Sequence, residues 1–224
     1  SSQRDQEYFC DGMTDEIILK LSKLADLKVI SRTSVMRYRN TEKDIREIGQ
    51  ELGVATIMEG SIRKEENDIR ISAQLINVGD GFHLWSNKYD RKLERIFEVQ
   101  EDVSRSIANA LMREKITVDS LDAAIKTNRP SKIEAYDYCL RGYYFTFSKY
   151  AISFKEADFQ TALKMFNRAI EIDPNYAYAY CGIGFACQNH YAMTRNEEDL
   201  ELVIKNCKKS YELDPNLVCS NAAL

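Results

Sequence analysis

Two matched blocks recur at almost one spacing in the second half of this chain, and they constrain its fold more than any other feature. Ala135-Tyr-Asp-Tyr-Cys139 with Gly142 is answered 42 residues later by Ala177-Tyr-Ala-Tyr-Cys181 with Gly184. Ala169-Ile-Glu-Ile-Asp-Pro-Asn175 is answered 41 residues later by Ser210-Tyr-Glu-Leu-Asp-Pro-Asn216. A period of this size is the mark of a helical repeat array, whose units bury their apolar faces only by stacking on one another. Such arrays bind other molecules along a groove.

Composition limits the remaining classes. With 224 residues, 44% apolar and 29% charged, the chain has the balance of a globular protein of one or two domains. It contains no run of about 18 apolar residues, so no membrane partner is expected. No positively charged, apolar segment of the signal-peptide kind opens it. The net charge is −4, with −2 on either side of residue 118. Neither half has the basic excess that binding a phosphate backbone requires, so no nucleic-acid partner is expected. Six cysteines, at 10, 139, 181, 187, 207 and 219, form no CxxC pair. They read as buried thiols in a reducing compartment rather than as a metal or redox site.

The first half alternates helix and strand signals. Asp11-Gly12 reads as a turn and Thr14 as a cap before the helical spacing of Ile17, Ile18, Leu21 and Leu24. Leu27 to Ile30 reads as a buried strand. Asp44 with Glu47 has the form of a capping box for a helix that Gly53 ends. Val54 to Arg63 is a strand and Glu66-Asn67-Asp68 a turn. Ile69, Ile71, Ala73 and Leu75 then alternate with polar residues at a strand's period of two. Gly79-Asp80-Gly81 turns the chain into Phe82 to Tyr89. A long helix follows over Ile96, Val99, Val103, Ile107, Ala110 and Leu111. The expectation is an α/β (α+β) domain with a partly antiparallel sheet over 1–115, a linker over 116–132, and an all-α array over 133–224.

The repeat half resembles tetratricopeptide repeats. Tyr138, Gly142, Ala162, Phe166, Ala169 and Pro174 of the first unit, and Tyr180, Ile183, Gly184 and Pro215 of the second, fall at that family's pattern positions. Its units have about 34 residues. The longer period here implies extended helices or a longer loop between Gly142 and Ala162 and between Gly184 and Val203. Arg141 departs from the pattern's Leu. A third unit is expected to open at Leu217. The resemblance implies a groove lined by Tyr136, Cys139, Tyr143 and Thr146, then Tyr178, Cys181, Phe185 and Gln188, holding a protein or peptide partner.

The first half resembles a TolB-amino-terminal-like domain. The resemblance is carried by Asp5-Gln-Glu-Tyr-Phe9, Asp11-Gly-Met-Thr14, Asp44-Ile-Arg-Glu-Ile-Gly49, Glu59-Gly-Ser-Ile-Arg63, Ile71-Ser-Ala-Gln-Leu75, His83-Leu-Trp85 and Tyr89-Asp-Arg91. It implies a bacterial, cytoplasmic protein, a first strand lying before residue 1, and a sheet edge through which a homodimer could pair. It also implies a neighbouring nucleotide cyclase or winged-helix domain. No cofactor, metal or catalytic residue is expected in this chain. It has no P-loop or GxGxxG, and His83 and His190 fall in different halves. Asp11, Asp15 and Glu16 read as helix-start carboxylates rather than metal ligands. Trp85 reads as core, and His83 as the partner of a structural hydrogen bond. The function that follows is a protein-interaction or scaffolding module in the regulatory part of a bacterial signalling protein. The alternatives are an accessory region of a class III adenylate or guanylate cyclase, or a small-ligand sensor.

Overall fold

The computed structural model describes residues 3–24, 26–39, 41–112, 129–215 and 217. Two compact units divide the chain. A sheet unit takes Ser1–Gln6 and Met13–Thr127, and a helical unit takes Glu7–Gly12 and Asn128–Leu224. The linker expected over 116–132 falls mostly outside the described residues. The third repeat expected from Leu217 does so too, apart from Leu217 itself.

Helix α1 spans Gln3–Ser22 and contributes to both units. The turn expected at Asp11-Gly12 is therefore helical. Met13, Ile17 and Leu21, spaced by four, are buried on its sheet-unit portion. Asp11, Asp15 and Glu16 lie inside this helix and not at its start.

In the sheet unit, a short α2, Arg32–Met36, precedes α3, Ile45–Leu52. Asp44 caps α3 by accepting a bond from the Arg46 amide at 2.8 Å. Gly53 ends it at φ 65°, a left-handed conformation open to glycine at little cost. Strands β1, Thr56–Glu65, β2, Asp68–Asn77, and β3, His83–Lys92, pair antiparallel in chain order with β2 central. Along β2, Ile69, Ile71, Ala73 and Leu75 are buried while Arg70 is exposed, so the period of two puts one face inward. The β2–β3 turn is built by polar side chains. Asn77 accepts from the Gly79 amide at 2.8 Å, and Asp80 accepts from the Phe82 amide at 2.9 Å. Helix α4, Ile96–Met112, buries Ile96, Val99, Val103 and Ile107 and packs against β3.

The antiparallel pairing expected of the sheet is present across all three described strands. Leu27–Ile30, expected as a further strand, is irregular, and Val29 and Ile30 are only half-buried. An apolar run becomes a strand when a neighbour pairs with its backbone, and none of β1–β3 does.

Buried carboxylates give the sheet unit a pH dependence. Burial pushes Asp15 up to about 7 against the pull of Arg32, whose guanidinium lies 2.7 Å away; neighbouring Glu16 adds to the rise. Burial also pushes Glu16 up to about 7, opposed by Lys20 and Lys23. A carboxylate with a raised folded-state pKa holds its proton more tightly when folded. The stability it lends is complete below the ordinary carboxylate range and is lost as pH rises through about 7. The sheet unit is expected to melt at a higher temperature at pH 5 than at pH 8. Asp15→Asn should flatten that slope, by about 1.4 kcal/mol per pKa unit removed. Calorimetric scans of both proteins across this range check it; an unchanged slope would place the pH dependence elsewhere.

In the helical unit, α5 opens at Ile133–Tyr144, continues through a π-helical segment, Phe145–Tyr150, and ends in a turn, Ala151–Ser153. Helices α6, Glu156–Ile172, α7, Ala177–Thr194, and α8, Glu197–Leu213, follow. Phe154 and Arg195, 41 residues apart, both end their helices in the left-handed region at φ 52° and 59°. Asp173 and Asp214, each before a proline, are extended and end α6 and α8. The excess over a 34-residue repeat thus lies in lengthened helices, with connections of two residues between α5 and α6 and between α7 and α8. The helix widens to the π form where the Thr146 hydroxyl bonds back to the Gly142 carbonyl at 2.9 Å.

Candidate protein-interaction surface

Close approach of three helices is set by two glycines and one ring. A Cβ on Gly142 of α5 would come within 2.6 Å of the Phe166 ring of α6, and one on Gly182 of α7 within 2.2 Å. Phe166 itself is fully buried. The sequence singled out Gly142, Gly184 and Phe166; Gly182 was missed, although a second small residue beside Gly184 was its signal. Gly184 faces α8 instead, with Cys207 Sγ 2.8 Å from where its Cβ would stand.

Aromatic side chains connect the facing helices α5 and α7. Tyr143 stacks on Tyr178 with ring centres 4.4 Å apart and a 27° tilt, and its hydroxyl donates to the Tyr178 carbonyl at 3.0 Å. Phe147 stacks on Tyr143 at 6.1 Å and meets Phe185 at 5.8 Å. The structure thus brings Tyr143, Tyr178 and Phe185 together through Phe147, which the sequence reading did not include. Tyr143 and Tyr178 are buried, Phe147 and Phe185 half-buried, and Gln188 exposed. Cys139 and Thr146 are buried inside the unit. Tyr136 is buried against the edge of Phe9, at 6.4 Å and 86°. The reachable part of the eight-residue set is therefore its Phe185–Gln188 end. Cys181 is disulfide-bonded, so the expectation of a free thiol fails there. Cys10, Cys139, Cys187 and Cys207 are in the thiol form. Burial, with Asp199 and Cys207 nearby, pushes Cys187 up to about 12, which leaves it protonated and unreactive.

A buried polar cluster of the helical unit was not marked by any sequence motif. Buried His190 of α7 bonds Asp199 of α8 through Nδ1 at 2.7 Å and Glu156 of α6 through Nε2 at 2.9 Å. Its ring lies flat on Phe159, 3.9 Å away at 2°. Gln160, and then His190, hold Glu156 below the ordinary carboxylate range despite partial desolvation. With both ring nitrogens engaged, the imidazole joins α6, α7 and α8. Glu156 lies 34 residues before His190 and Asp199 nine after it, each on a different helix, so no local motif marked the cluster. His83 is exposed and makes no side-chain hydrogen bond among the described residues, contrary to the structural bond expected of it. Trp85, expected as core, is half-buried. In the sheet unit, a cleft of about 510 Å³ at the Arg63–Asp68 end is lined by both signs of charge. Arg70 pairs with Asp90 at 2.6 Å and Lys92 with Asp68 at 2.8 Å, so the cleft favours no one ligand charge. No group of three potential ligands could hold a metal ion among the described residues.

Helix pairs joined by two-residue connections, the first closed by Gly142 against the Phe166 ring, are the form of a helical repeat unit, and the helical unit contains a TPR repeat. Residues 154–190, from the α5–α6 connection to His190, match the family described as TPR repeat. A relative is found in Rhizobium meliloti (strain 1021), where the protein named "Putative adenylate cyclase 3" is 41% identical over 184 residues, 82% of this chain. A match of that length includes residues of both units. The chain spans 30% of that protein's length. No described helix is long and apolar enough to cross a membrane.

Proposed function

We propose that this chain is a protein-interaction module in the regulatory part of a signalling protein, with its partner held at the α5–α7 face. The observation that carries this reading is the aromatic line Tyr178–Tyr143–Phe147–Phe185 in the helical unit, ending in half-buried Phe147 and Phe185 beside exposed Gln188. Large stiff rings give contact area at small entropic cost. The relative's name favours a particular form of this reading, an accessory region of a nucleotide cyclase. The sheet unit is assigned to the TolB-amino-terminal-like class on its sequence motifs, and a bacterial cytoplasmic setting goes with that assignment.

Phe185→Ala with Gln188→Ala is the direct test. The double variant is expected to keep its helical circular dichroism and lose at least about tenfold in affinity for a captured protein, the cost of one or two interface anchors. Cross-linked capture from a bacterial lysate, followed by titration of the purified partner, measures it. Equal binding by wild type and folded variant would remove the α5–α7 face from the reading. Joint capture of a cyclase domain would support the accessory role.

A further inference from the structure

We infer that Glu7–Gly12 is the amino-terminal cap of the helical array, so that the array is a discontinuous unit whose first element lies more than 100 residues upstream of its second. This goes beyond the proposed function, since it concerns what the repeats need in order to stand, whatever they bind.

Five of the six residues of the segment, Glu7, Tyr8, Phe9, Asp11 and Gly12, meet the helix that opens with α5. Phe9, 1% exposed, sets its edge on Tyr136. Gly12 lies so close to Leu140 that a Cβ there would come within 2.3 Å of its side chain. Around this apolar centre runs a polar rim. The Tyr8 hydroxyl donates to Asp137 at 2.6 Å, and the Arg141 guanidinium lies 4.8 Å over the Tyr8 ring while bonding Asp137 at 2.9 Å. Tyr144 donates to Glu7 at 2.9 Å, and Ser148 to Asp11 at 2.8 Å. Contacts thus run along α5 from Tyr136 to Ser148, over three turns.

A repeat array leaves the outer face of its first helix bare unless something polar on its far side covers it. Tyr136 and Leu140 would be the exposed apolar groups here, and both are buried under the segment. Arg141, where the repeat pattern has Leu, fits the same account: the position meets the cap's tyrosine and not another repeat.

The test is hydrogen exchange by mass spectrometry on the full chain, comparing wild type with Tyr8→Ala/Phe9→Ala and, separately, with Gly12→Ala. Peptides from α5, α6 and α7 are expected to exchange at least about tenfold faster in both variants, while β2 and β3 keep their protection. Unchanged protection in α5–α7 would overturn the cap. So would an equal loss in β2 and β3, because the segment would then be core common to the whole chain. Asp137→Asn, which leaves the apolar centre intact, is expected to speed exchange in α5 alone. No change in α5 would overturn the part assigned to the polar rim.

Discussion

Replacing Phe166 with alanine is expected to cost the helical unit about 3–5 kcal/mol, the range for deleting a fully buried ring. Three helices depend on this ring. It fills the space left by two missing Cβ atoms, at Gly142 on α5 and Gly182 on α7, and takes the edge of Tyr143 at 5.1 Å. No neighbouring side chain can collapse into the gap without parting those helices. Small domains have about 5–15 kcal/mol of stability in all, so the variant should lie close to unfolding at room temperature. Urea denaturation followed by helical circular dichroism gives the number. A loss under about 1 kcal/mol would mean that the ring is not what holds α5 and α7 to α6. The reverse change makes the same point: Gly182→Ala, with the ring kept, is expected to cost about 1–3 kcal/mol through overpacking. The two changes should not be additive, because each acts on the same contact.

His190→Ala is expected to cost about 3–5 kcal/mol as well, for a different reason. Asp199 is 3% exposed, and removing the imidazole leaves its carboxylate buried without the group 2.7 Å away. Phe159 loses its stacked ring at the same time. The other side of the cluster supplies a control. The Glu156 side chain is 61% exposed, so Glu156→Ala should cost under about 1 kcal/mol although it removes a bond of nearly equal length. Urea midpoints of the two variants decide it. Equal losses would show that the cluster's contribution does not come from burial of Asp199.

Local patterns were legible where a residue's neighbours in sequence fix its surroundings. The Asp44 cap, the left-handed stop at Gly53, the alternation along β2 and the stripe of α4 each depend on spacing alone, and each is present. The expected turn at Asp11-Gly12 failed because glycine there serves a close contact. Gly12 is helical and makes room for Leu140, a residue 128 positions away. The expected strand at Leu27–Ile30 failed because strand formation needs a backbone partner, which composition does not supply.

The candidate surface was legible in part for the same reason. The positions implied by the family resemblance named Tyr143 and Tyr178, which stack, and Phe185, which joins them through Phe147. They also named Tyr136, which faces the helix-α1 segment instead, and they omitted Phe147, which completes the aromatic line. A helical repeat in sequence tells which residues share a helix face. It does not tell what lies against that face.

The sequence by itself determined the helix-pair repeat, its lengthened period, the glycine and proline punctuation and the antiparallel hairpins, because all of these follow from periodicities and backbone preferences within one stretch of chain. Only the tertiary structure decided the placement of Phe166 between two glycines, the joining of Glu156, His190 and Asp199, and the covering of α5 by Glu7–Gly12. Each of these brings together side chains from different helices. Their energies come from burial and from the loss of water, which exist only once the helices have packed.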